Sequence, residues 1–318
     1  MSNHSYAILG TGALGGFYGA KLQQAGLDVR FLLRSDREYV KQHGLVVESV
    51  DGDFTLPQVH AYGDVNEMPK CDVVVLALKT TQNHLLPELL PGLVKENGVV
   101  LVLQNGLGIE ADVAEIVGDE RVMGGLCFLC SNKVGPGHIR HLDYGTITMG
   151  EYFNKYQAGG ITDRLRQIAG DFELAGIPIV MSEDLLLARW KKLVWNIPYN
   201  GLSVVLDART DELMANADTR RLIEELMGEV VAGAKSCVGA ASQRHRAIPD
   251  SFIHQMLDYT DKMKPYRTSM KLDYDEKRSL EVEAIFGNPL RMAEKAGINL
   301  PKIDMLYRQL KFLGDRQS

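Results

Sequence analysis

The first 34 residues contain the feature that most constrains the fold of this 318-residue chain. A short apolar segment, "YAILG", leads into Gly10, Gly12 and Gly15, which are spaced as GxGxxG. A helical pattern follows from Leu14 to about Ala25, and "DVRFLLR" then reads as a second strand. This order of strand, glycine turn, helix and strand is the dinucleotide-binding fingerprint of the Rossmann-type fold.

Each glycine of the fingerprint has its own physical role. Gly10 permits the tight turn, Gly12 lets the backbone approach a pyrophosphate, and Gly15 lets the helix and strand pack closely. The N-terminus of the helix favours anionic phosphates because its backbone N–H groups and dipole point at them. The sequence therefore predicts an N-terminal domain that binds a dinucleotide.

The end of the second strand indicates which dinucleotide is bound. Enzymes that use NAD usually have an acidic residue there, whereas this chain has Arg34, nineteen residues after Gly15. An arginine suits a 2′-phosphate because its guanidinium makes forked, charge-assisted hydrogen bonds, and Ser35 and Arg37 are placed to help. The alternative is that Arg34 is a surface residue and Asp36 binds the ribose of NAD. We favour NADP.

Two further apolar segments end in polar residues. "CDVVVLALKT" reads as a buried strand that ends at Lys79, and "GVVLVLQNGLG" reads as another that ends at Asn105. In open α/β sheets, ligands lie outside the carboxyl ends of the strands. We therefore predict that Lys79 and Asn105 are site residues. The alternatives are a solvated lysine and an ordinary Asn-Gly turn.

The rest of the chain divides into a strand-rich and a helical part. Strands are predicted in "RVMGGLCFLC", "GHIRHL", "TITMG" and "IPIVMS", with a helix in "TDRLRQIAGDFELAG". From residue 183 onward, five segments have helical spacing: "DLLLARWKKLVWNI", "TRRLIEELMGEVVAGAKSCV", "DSFIHQMLDYTDKM", "DEKRSLEVEAIFGNPLRMAEKAG" and "KIDMLYRQLKFLG". We predict an α/β chain, with a Rossmann-type doubly wound sheet in 1–182 and an all-α domain in 183–318.

One of these helical segments has an unusual polar stripe. Lys192, Asn196 and Asn200 follow each other at four-residue steps and fall on one side of the helix. Solvated helix faces are common, but asparagine is a mediocre helix former that a solvent-facing surface seldom needs. Large aromatic residues, Trp195 and Tyr199, flank the stripe. We weigh a solvated face against the wall of a polar cleft.

Composition restricts the partners and the compartment. The net charge of −6 argues against nucleic acid as the main partner. No apolar run approaches the roughly 18 residues that a membrane span needs, and no secretory signal is visible. The few cysteines suggest a reducing cytoplasm and no disulfide framework; they are Cys71, Cys127, Cys130 and Cys237.

Two short-range pairs invite a metal or redox interpretation. Cys127 and Cys130 form a CxxC within a predicted buried strand, and His138 and His141 have the same spacing. Residues three apart in a strand point to opposite faces. We therefore predict that neither pair binds a metal and that the cysteines are structural.

At this point the sequence resembles the ketopantoate reductase family (2-dehydropantoate 2-reductases). The resemblance covers nearly the whole chain and lies in "ILGTGALGG", "LALKT", "QNGLG", "RWKKLVWNIPYNGLS" and "TSMKLDYDEKRSLEVEAIFGNPLRMAEKAGINLP". It implies a small-molecule enzyme that reduces a 2-oxo acid, ketopantoate, to pantoate with NADPH, on the route to pantothenate and coenzyme A.

The resemblance also implies site residues. Lys192 matches the proton donor of the family, and Glu281 matches a glutamate that either orients the lysine or accepts a bond from the substrate. A lysine donor, with a solution pKa of about 10.4, needs that pKa lowered for efficient proton transfer near neutral pH. The matches for substrate binding are Asn105, Asn196, Asn200 and Ser269, and those for the cofactor are Arg34, Lys79 and Asn105.

Some positions differ from the pattern of the family. Gly201 follows Asn200 where some relatives have proline, and Tyr266 and Arg267 precede the serine. These changes leave open the identity of the 2-oxo acid. The alternatives are a reductase of another 2-oxo acid, a 3-hydroxyacid-type dehydrogenase, or a non-catalytic regulator that senses NADPH. The sequence also leaves open the oligomeric state, for which a homodimer is one hypothesis.

Overall fold

A computed structural model describes residues 4–238 and 246–317. Residues 1–3, 239–245 and 318 of the predicted domains 1–182 and 183–318 lie outside this described part. The chain separates into two compact units, the first formed by Met1–Gln104 with Ile109–Leu185 and the second by Asn105–Gly108 with Leu186–Ser318. The division of roles between domains 1–182 and 183–318 stays a prediction.

The first unit alternates strands and helices. In chain order these are β1 (Ser5–Leu9), α1 (Ala13–Gln24), β2 (Asp28–Leu32), α2 (Arg37–His43), β3 (Leu45–Ser49), β4 (Phe54–Leu56), β5 (His60–Tyr62), β6 (Cys71–Leu76), α3 (Leu86–Leu93), β7 (Val94–Val102), α4 (Ile109–Val117), β8 (Val122–Gly135), β9 (His138–Glu151), α5 (Asp163–Leu174) and β10 (Ile179–Ser182). Short 3₁₀ turns lie at Val65–Glu67, Thr80–Leu85 and Asp119–Arg121.

All ten strands belong to one mixed sheet in the order β4-β3-β9-β8-β7-β6-β1-β2-β5, with β10 pairing to β9. Within this order, the adjacent strands β8, β7, β6, β1, β2 and β5 pair with one another in parallel. Strands β8 and β9 form an antiparallel hairpin. Most residues of the central strands β1 and β6 and the second half of β7 are buried and apolar, as is typical of a parallel sheet that is covered on both faces. The Rossmann-type part of the fold-class prediction is confirmed.

The hairpin corrects one expectation. One strand, β9, runs through the segments predicted as two, and pairs with β3 at one end and β10 at the other. Between Phe128 and Leu129 the pairing skips Gly145, so the extra residue of this irregularity lies in β9 and β8 itself is continuous there. That Cys127 and Cys130 point to opposite faces of β8 stays a prediction. Both cysteines are buried, and neither forms a disulfide.

Helices make up the second unit, and the all-α prediction for it is confirmed. They are α6 (Leu185–Val205), α7 (Thr210–Ala215), α8 (Ala217–Cys237), α9 (Ser251–Asp261), α10 (Ser269–Asp275), a π-helical turn (Glu283–Gly287), α11 (Asn288–Lys295) and α12 (Pro301–Asp315). In the described part of the chain, no helix is long and apolar enough to cross a membrane.

The fourth predicted helical segment, residues 275–297, begins too early, because α10 ends at Asp275 and the next helical turn is the π-helical one at Glu283–Gly287. Helix α10 ends in a Schellman motif, in which the N–H of Arg278 bonds to the carbonyl of Asp273 and the N–H of Lys277 bonds to that of Tyr274. Lys277 occupies the left-handed position of this motif, with φ of +55°. Glycine is the usual residue at this position. Because the chain has a lysine instead, the sequence pattern did not indicate that the helix ends here.

Candidate active site

The glycine turn lies between β1 and α1 and is held by its own neighbours. Gly10 has φ of +106°, and a Cβ there would overlap the backbone of Ala77 and Leu78. A Cβ at Gly15 would overlap the carbonyl oxygen of Gly10. These two glycines are therefore required by the turn itself and by the close packing of α1.

Gly12 differs from the other two glycines. Its φ is −86°, and a Cβ there would meet no protein atom within 4 Å. Packing alone therefore gives no reason for glycine at this position. Gly12 is also the N-cap of α1, which has no side-chain cap and no acidic residue in its first turn. A half-buried helix N-terminus beside a glycine with open space in front of it fits the pyrophosphate of a dinucleotide.

Arg34 is exposed two residues after the end of β2. It lines a cavity of about 400 Å³, whose other lining residues are Ser35, Arg37, Glu38, Gly63, Asp64 and Glu67. Arg37 pairs with Glu67 at 3.2 Å. Among the described residues no carboxylate pairs with Arg34, so its guanidinium can bind an anion. This arrangement fits a 2′-phosphate better than a bare ribose.

Asp36, the alternative ribose ligand, has a structural role. Its carboxylate is 6% exposed and pairs with the Lys133 ammonium at 2.5 Å. It also accepts hydrogen bonds from the Gly137 N–H at 3.0 Å and the Ser35 hydroxyl at 2.8 Å. Burial alone would raise the pKa of Asp36, but these contacts outweigh it and lower the pKa. The hypothesis that Asp36 binds the ribose is therefore disfavoured.

Lys79 is exposed three residues beyond the end of β6, where a 3₁₀ turn begins. The Gln104 amide fixes the backbone before the lysine, since Nε2 donates to the Leu78 carbonyl at 2.8 Å. The same nitrogen donates to Oδ1 of Asn83 at 2.7 Å. Sequence analysis passed over this buried glutamine, although its place between an apolar strand and Asn105 was visible.

In the second unit, the polar stripe of α6 is buried. Asn196 and Asn200 are 7% and 3% exposed, and Lys192 is half-buried. Nζ of Lys192 donates a hydrogen bond of 2.7 Å to Oδ1 of Asn105. The interpretation as a solvated face was wrong. Two residues that lie 87 positions apart and were predicted separately are in direct contact.

Aromatic residues fix the part of α6 that holds this stripe. The rings of Trp195 and Tyr199 stack with centroids 4.7 Å apart. The Trp195 Nε1–H donates to the Thr260 hydroxyl at 3.0 Å, and the Tyr199 hydroxyl contacts the Met214 sulfur at 3.0 Å. Burial raises the pKa of Tyr199 to about 12.

Ser269 is the first residue of α10, and three hydrogen bonds fix the backbone around it. Oδ1 of Asn200 accepts the Met270 N–H at 3.3 Å, and the Thr268 hydroxyl caps the helix by accepting the Lys271 N–H at 3.2 Å. The hydroxyls of Thr268 and Ser203 lie 2.8 Å apart, and both residues are fully buried. Sequence analysis missed this hydroxyl pair, because nothing local connects two segments 65 residues apart.

Glu281 is 5% exposed and lies just before the π-helical turn. Such turns are rare and frequently occur at functional sites. The described parts of the chain contain no cluster of three or more histidine, cysteine or acidic side chains that would hold a metal ion. The second unit thus joins an ammonium, several amides and a hydroxyl, which are groups that can bind a polar acid and move a proton.

Comparison with known proteins places this chain in a family. The model described as "Ketopantoate reductase PanE/ApbA" matches residues 6–154, and the model of its C-terminal part matches residues 184–314. The chain belongs to the ketopantoate reductase family. The 2-dehydropantoate 2-reductase of Nostoc sp. is 69% identical over 316 residues, which cover 99% of this chain and 97% of that protein. Membership of an oxidoreductase family is therefore confirmed.

Solved structures give the same result. A 2-dehydropantoate 2-reductase from Geobacter metallireducens superposes with a TM-score of 0.91 at 42% identity, covering 96% of this chain and 99% of that one. One from Methylococcus capsulatus gives 0.87 at 31% identity, covering 99% and 98%. A D-mandelate dehydrogenase solved with NADH and anilino(oxo)acetate shares the fold at 20% identity, with a TM-score of 0.85 and coverage of 98% and 99%.

Proposed function

We propose that this protein reduces ketopantoate (2-dehydropantoate) to pantoate with NADPH, as a step in the synthesis of pantothenate and coenzyme A. The observation that carries the proposal is the 2.7 Å hydrogen bond from Lys192 to Asn105. Lys192 lies on α6, and Asn196 and Asn200 of the same helix are buried. Membership of the ketopantoate reductase family supports the same reaction.

The cofactor is held by the first unit. Gly12 and the N-terminus of α1 would receive the pyrophosphate, while Gly10 and Gly15 keep the turn tight. Arg34 would hold the 2′-phosphate, and Lys79 would contribute a second cation near the carboxyl end of β6. When bound, NADPH supplies the hydride that adds to the carbonyl carbon of the substrate.

The residues of the second unit bind the 2-oxo acid and supply the proton. Nζ of Lys192 donates its proton to the carbonyl oxygen as the carbon accepts the hydride, so the ketone becomes an alcohol. The neutral lysine then regains a proton from solvent. Asn105 orients the ammonium group of Lys192. Glu281 is the second catalytic residue beside Lys192. The residues that hold the substrate are Asn105, Asn196, Asn200 and Ser269.

Three finer proposals accompany this reaction. We place the protein in the cytoplasm, since its cysteines form no disulfide in the described part of the chain. We propose a homodimer, as a ketopantoate reductase from Staphylococcus aureus with the same fold is described as dimeric. We also propose that the first unit, with the cofactor, corresponds to domain 1–182 and the second to domain 183–318.

The decisive experiment is a panel of 2-oxo acids, each tested with NADPH and with NADH, while nicotinamide absorbance is followed. We expect the highest kcat/KM for ketopantoate with NADPH. Faster turnover of another 2-oxo acid would mean that this acid, and not ketopantoate, is the substrate, while the type of reaction would stay the same. The D-mandelate dehydrogenase with the same fold was solved with a different oxo acid, anilino(oxo)acetate. Oxidation of a 3-hydroxy acid would favour the 3-hydroxyacid-type alternative. Tight NADPH binding with no turnover of any acid would favour a regulator that senses NADPH.

A further inference from the structure

The short segment Asn105–Gly108 belongs to the second unit, and Leu107 is its point of attachment. The Leu107 N–H donates to the carbonyl of Ala284 at 2.9 Å. The Leu107 carbonyl accepts a hydrogen bond of 2.6 Å from Nδ2 of Asn288. Both backbone groups of one residue are therefore held by a segment about 180 positions later in the chain.

The carbonyl of Ala284 is available because of the π-helical turn and the proline after it. In this turn the N–H of Asn288 bonds to the carbonyl of Glu283, five residues earlier. The donor for Ala284 in the same register would be residue 289, which is Pro289 and has no N–H. Ala284 therefore lacks a partner within its own helix, and a buried carbonyl needs one. Leu107 supplies that partner.

The orientation of the Asn288 amide is fixed from its other side. Oδ1 accepts a hydrogen bond of 2.5 Å from a guanidinium nitrogen of Arg291, and another nitrogen of that guanidinium pairs with Glu283 at 2.9 Å. Because arginine is only a donor, the oxygen of the amide must face it. The NH₂ group must then face Leu107, as its contact with a carbonyl also requires.

Close approach of the two segments also depends on Gly106. This residue has φ of +108°, and a Cβ there would overlap the carbonyl group of Ala284. Asn105 immediately precedes it and accepts the hydrogen bond from Nζ of Lys192. The backbone that presents the Asn105 side chain to the lysine is therefore anchored two residues away.

We propose that Asn288 is a positioning residue: its amide holds Leu107, and through Leu107 it keeps Asn105 in contact with Lys192. The role rests on the proposed function only in so far as Lys192 is the proton donor. The side chain of Asn288 contacts the backbone of the Asn105–Gly108 segment, so Asn288 is not a catalytic residue. Pro289 assists, since it leaves the Ala284 carbonyl to Leu107.

The first test compares Asn288→Ala with Asn299→Ala, which makes the same chemical change at an exposed position of the same unit. Misplacement of catalytic groups by about 1 Å costs up to about a hundredfold in rate. We expect Asn288→Ala to lower kcat about 10- to 100-fold with little change in the Kd for NADPH. Asn299→Ala should leave kcat unchanged. A normal kcat in folded Asn288→Ala would overturn the proposal.

A second variant separates the hydrogen bond from the packing of the side chain. Asn288→Asp keeps the size and the contact with Arg291, but its carboxylate has no hydrogen to donate to the Leu107 carbonyl. We expect it to lose as much kcat as Asn288→Ala, even if its melting temperature matches the wild type. Full activity of Asn288→Asp would show that the donated hydrogen bond is not needed.

A double-mutant cycle tests whether Asn288 acts through Asn105. If it does, Asn288→Ala should cost little further kcat in an Asn105→Ala background, because residues in one network are not additive. An equal loss in both backgrounds would assign Asn288 a role independent of Asn105 and overturn the proposal.

Hydrogen exchange at Leu107 gives a readout that needs no substrate. Asn288→Ala should speed amide exchange in the peptide containing residues 105–108, and Asn299→Ala should not. If the wild type reduces no 2-oxo acid, the proposed function fails while this exchange result still decides the attachment. Unchanged exchange in Asn288→Ala would overturn the attachment whatever the substrate is.

Discussion

The glycine turn of the first unit and the Asn105 segment of the second unit both follow a buried parallel strand, but different forces hold them. Gly10 packs on the backbone of Ala77 and Leu78, and Gly15 packs on Gly10. These contacts join main-chain atoms and need no particular side chain. The Asn105 segment depends on the side chains of Lys192 and Asn288, which come from much later in the sequence.

This difference has a consequence for how each region tolerates substitution. In the glycine turn, a new side chain does harm mainly by adding a Cβ where the backbone has no room. In the Asn105 segment, removal of a distant side chain is enough to release a functional group. We therefore expect cofactor binding to be lost when a larger side chain replaces a glycine of the turn in the first unit. Catalysis should be lost when a side chain that contacts the Asn105 segment is truncated in the second unit.

The largest expected effect is that of removing Lys192, the proposed proton donor in the second unit. Lys192→Ala should lower kcat about 10²–10⁴-fold, the usual contribution of a general acid. NADPH should still bind, because the glycine turn and Arg34 are untouched. Steady-state kinetics together with NADPH titration by fluorescence will measure both quantities.

Two matched variants sharpen the test of Lys192. Arginine keeps the positive charge but, with a pKa above about 12, holds its proton too tightly to act as the acid. Lys192→Arg should therefore restore substrate binding and little of kcat, whereas a role in charge attraction alone predicts recovery of the rate. Lys191→Ala should be nearly silent, since Lys191 is rotated about 100° around α6. An inactive Lys191 variant beside an active Lys192 variant would reverse the assignment.

The next effect concerns Arg34 and contrasts it with its neighbour Asp36. Arg34→Ala should weaken NADPH binding about 10- to 100-fold relative to NADH, since a charge-assisted contact contributes about 1.5–3 kcal/mol. Its melting temperature should not change, because Arg34 is exposed and pairs with no described carboxylate. Equal losses for both cofactors would mean that Arg34 does not contact the 2′-phosphate.

Asp36→Ala is the control for this comparison and should behave in the opposite way. It should lower the melting temperature, because the buried N–H of Gly137 loses its acceptor at a cost of about 1–3 kcal/mol. The cofactor preference should stay that of the wild type. Because the folded pKa of Asp36 is lowered, its stabilisation is present above its unfolded pKa and is lost as the pH falls through the folded value. Melting curves between neutral and acidic pH should show this loss in the wild type only.

The two glycines of the turn provide the third contrast. Gly12→Ala should fold with a normal melting temperature, since its Cβ meets no protein atom, and should weaken the binding of NADPH and NADH alike by about tenfold or more. Gly10→Ala should instead destabilise the fold, because its φ of +106° and the Leu78 backbone exclude a Cβ. Normal affinity for both cofactors in Gly12→Ala would show that the pyrophosphate does not lie against Gly12.

Sequence analysis predicted the fold best where the determinants are local. The glycine turn and the first two strands follow from residues within a 34-residue window. Helices α6, α8, α9, α11 and α12 follow from their spacing, whereas the short helices α7 and α10 were not predicted. The end of α10 and the register shifts between β8 and β9 were missed, because Lys277 adopts a conformation that glycine normally takes and because a register shift leaves no local pattern. The strands β3, β4 and β5 were also missed, and β4 and β5 have only three residues each, fewer than the roughly 4–8 over which a strand pattern is recognised.

The candidate site divides in the same way. Gly10, Gly12, Gly15 and Arg34 were identified by position relative to one strand and one helix. The contact between Lys192 and Asn105 was outside the reach of spacing arguments, since it depends on tertiary folding of the second unit. Asn288 and Pro289 gave only a weak signal, an Asn-Pro pair inside a helical pattern, which normally indicates a boundary. In the fold this pair anchors a distant loop.

The smallest expected effects come from the neutral hydrogen-bonding groups of the substrate site. Ser269→Ala should raise the KM for ketopantoate about 2- to 10-fold, as a neutral hydrogen bond contributes about 0.5–1.5 kcal/mol. NADPH affinity should stay nearly unchanged. Asn200→Ala should cost more than Ser269→Ala, because Oδ1 of Asn200 also accepts the N–H of Met270, beside Ser269.

A matched control separates these two contributions of Asn200. Asn200→Asp keeps the acceptor for Met270 but replaces the amide NH₂ with an oxygen that repels the carboxylate of a 2-oxo acid. If the amide binds the substrate, Asn200→Asp should raise KM more than Asn200→Ala while its melting temperature stays closer to the wild type. If Asn200 only positions the start of α10, the aspartate variant should instead retain a nearly normal KM. A fall in NADPH affinity with an unchanged KM in either alanine variant would mean that this helical unit does not bind the substrate.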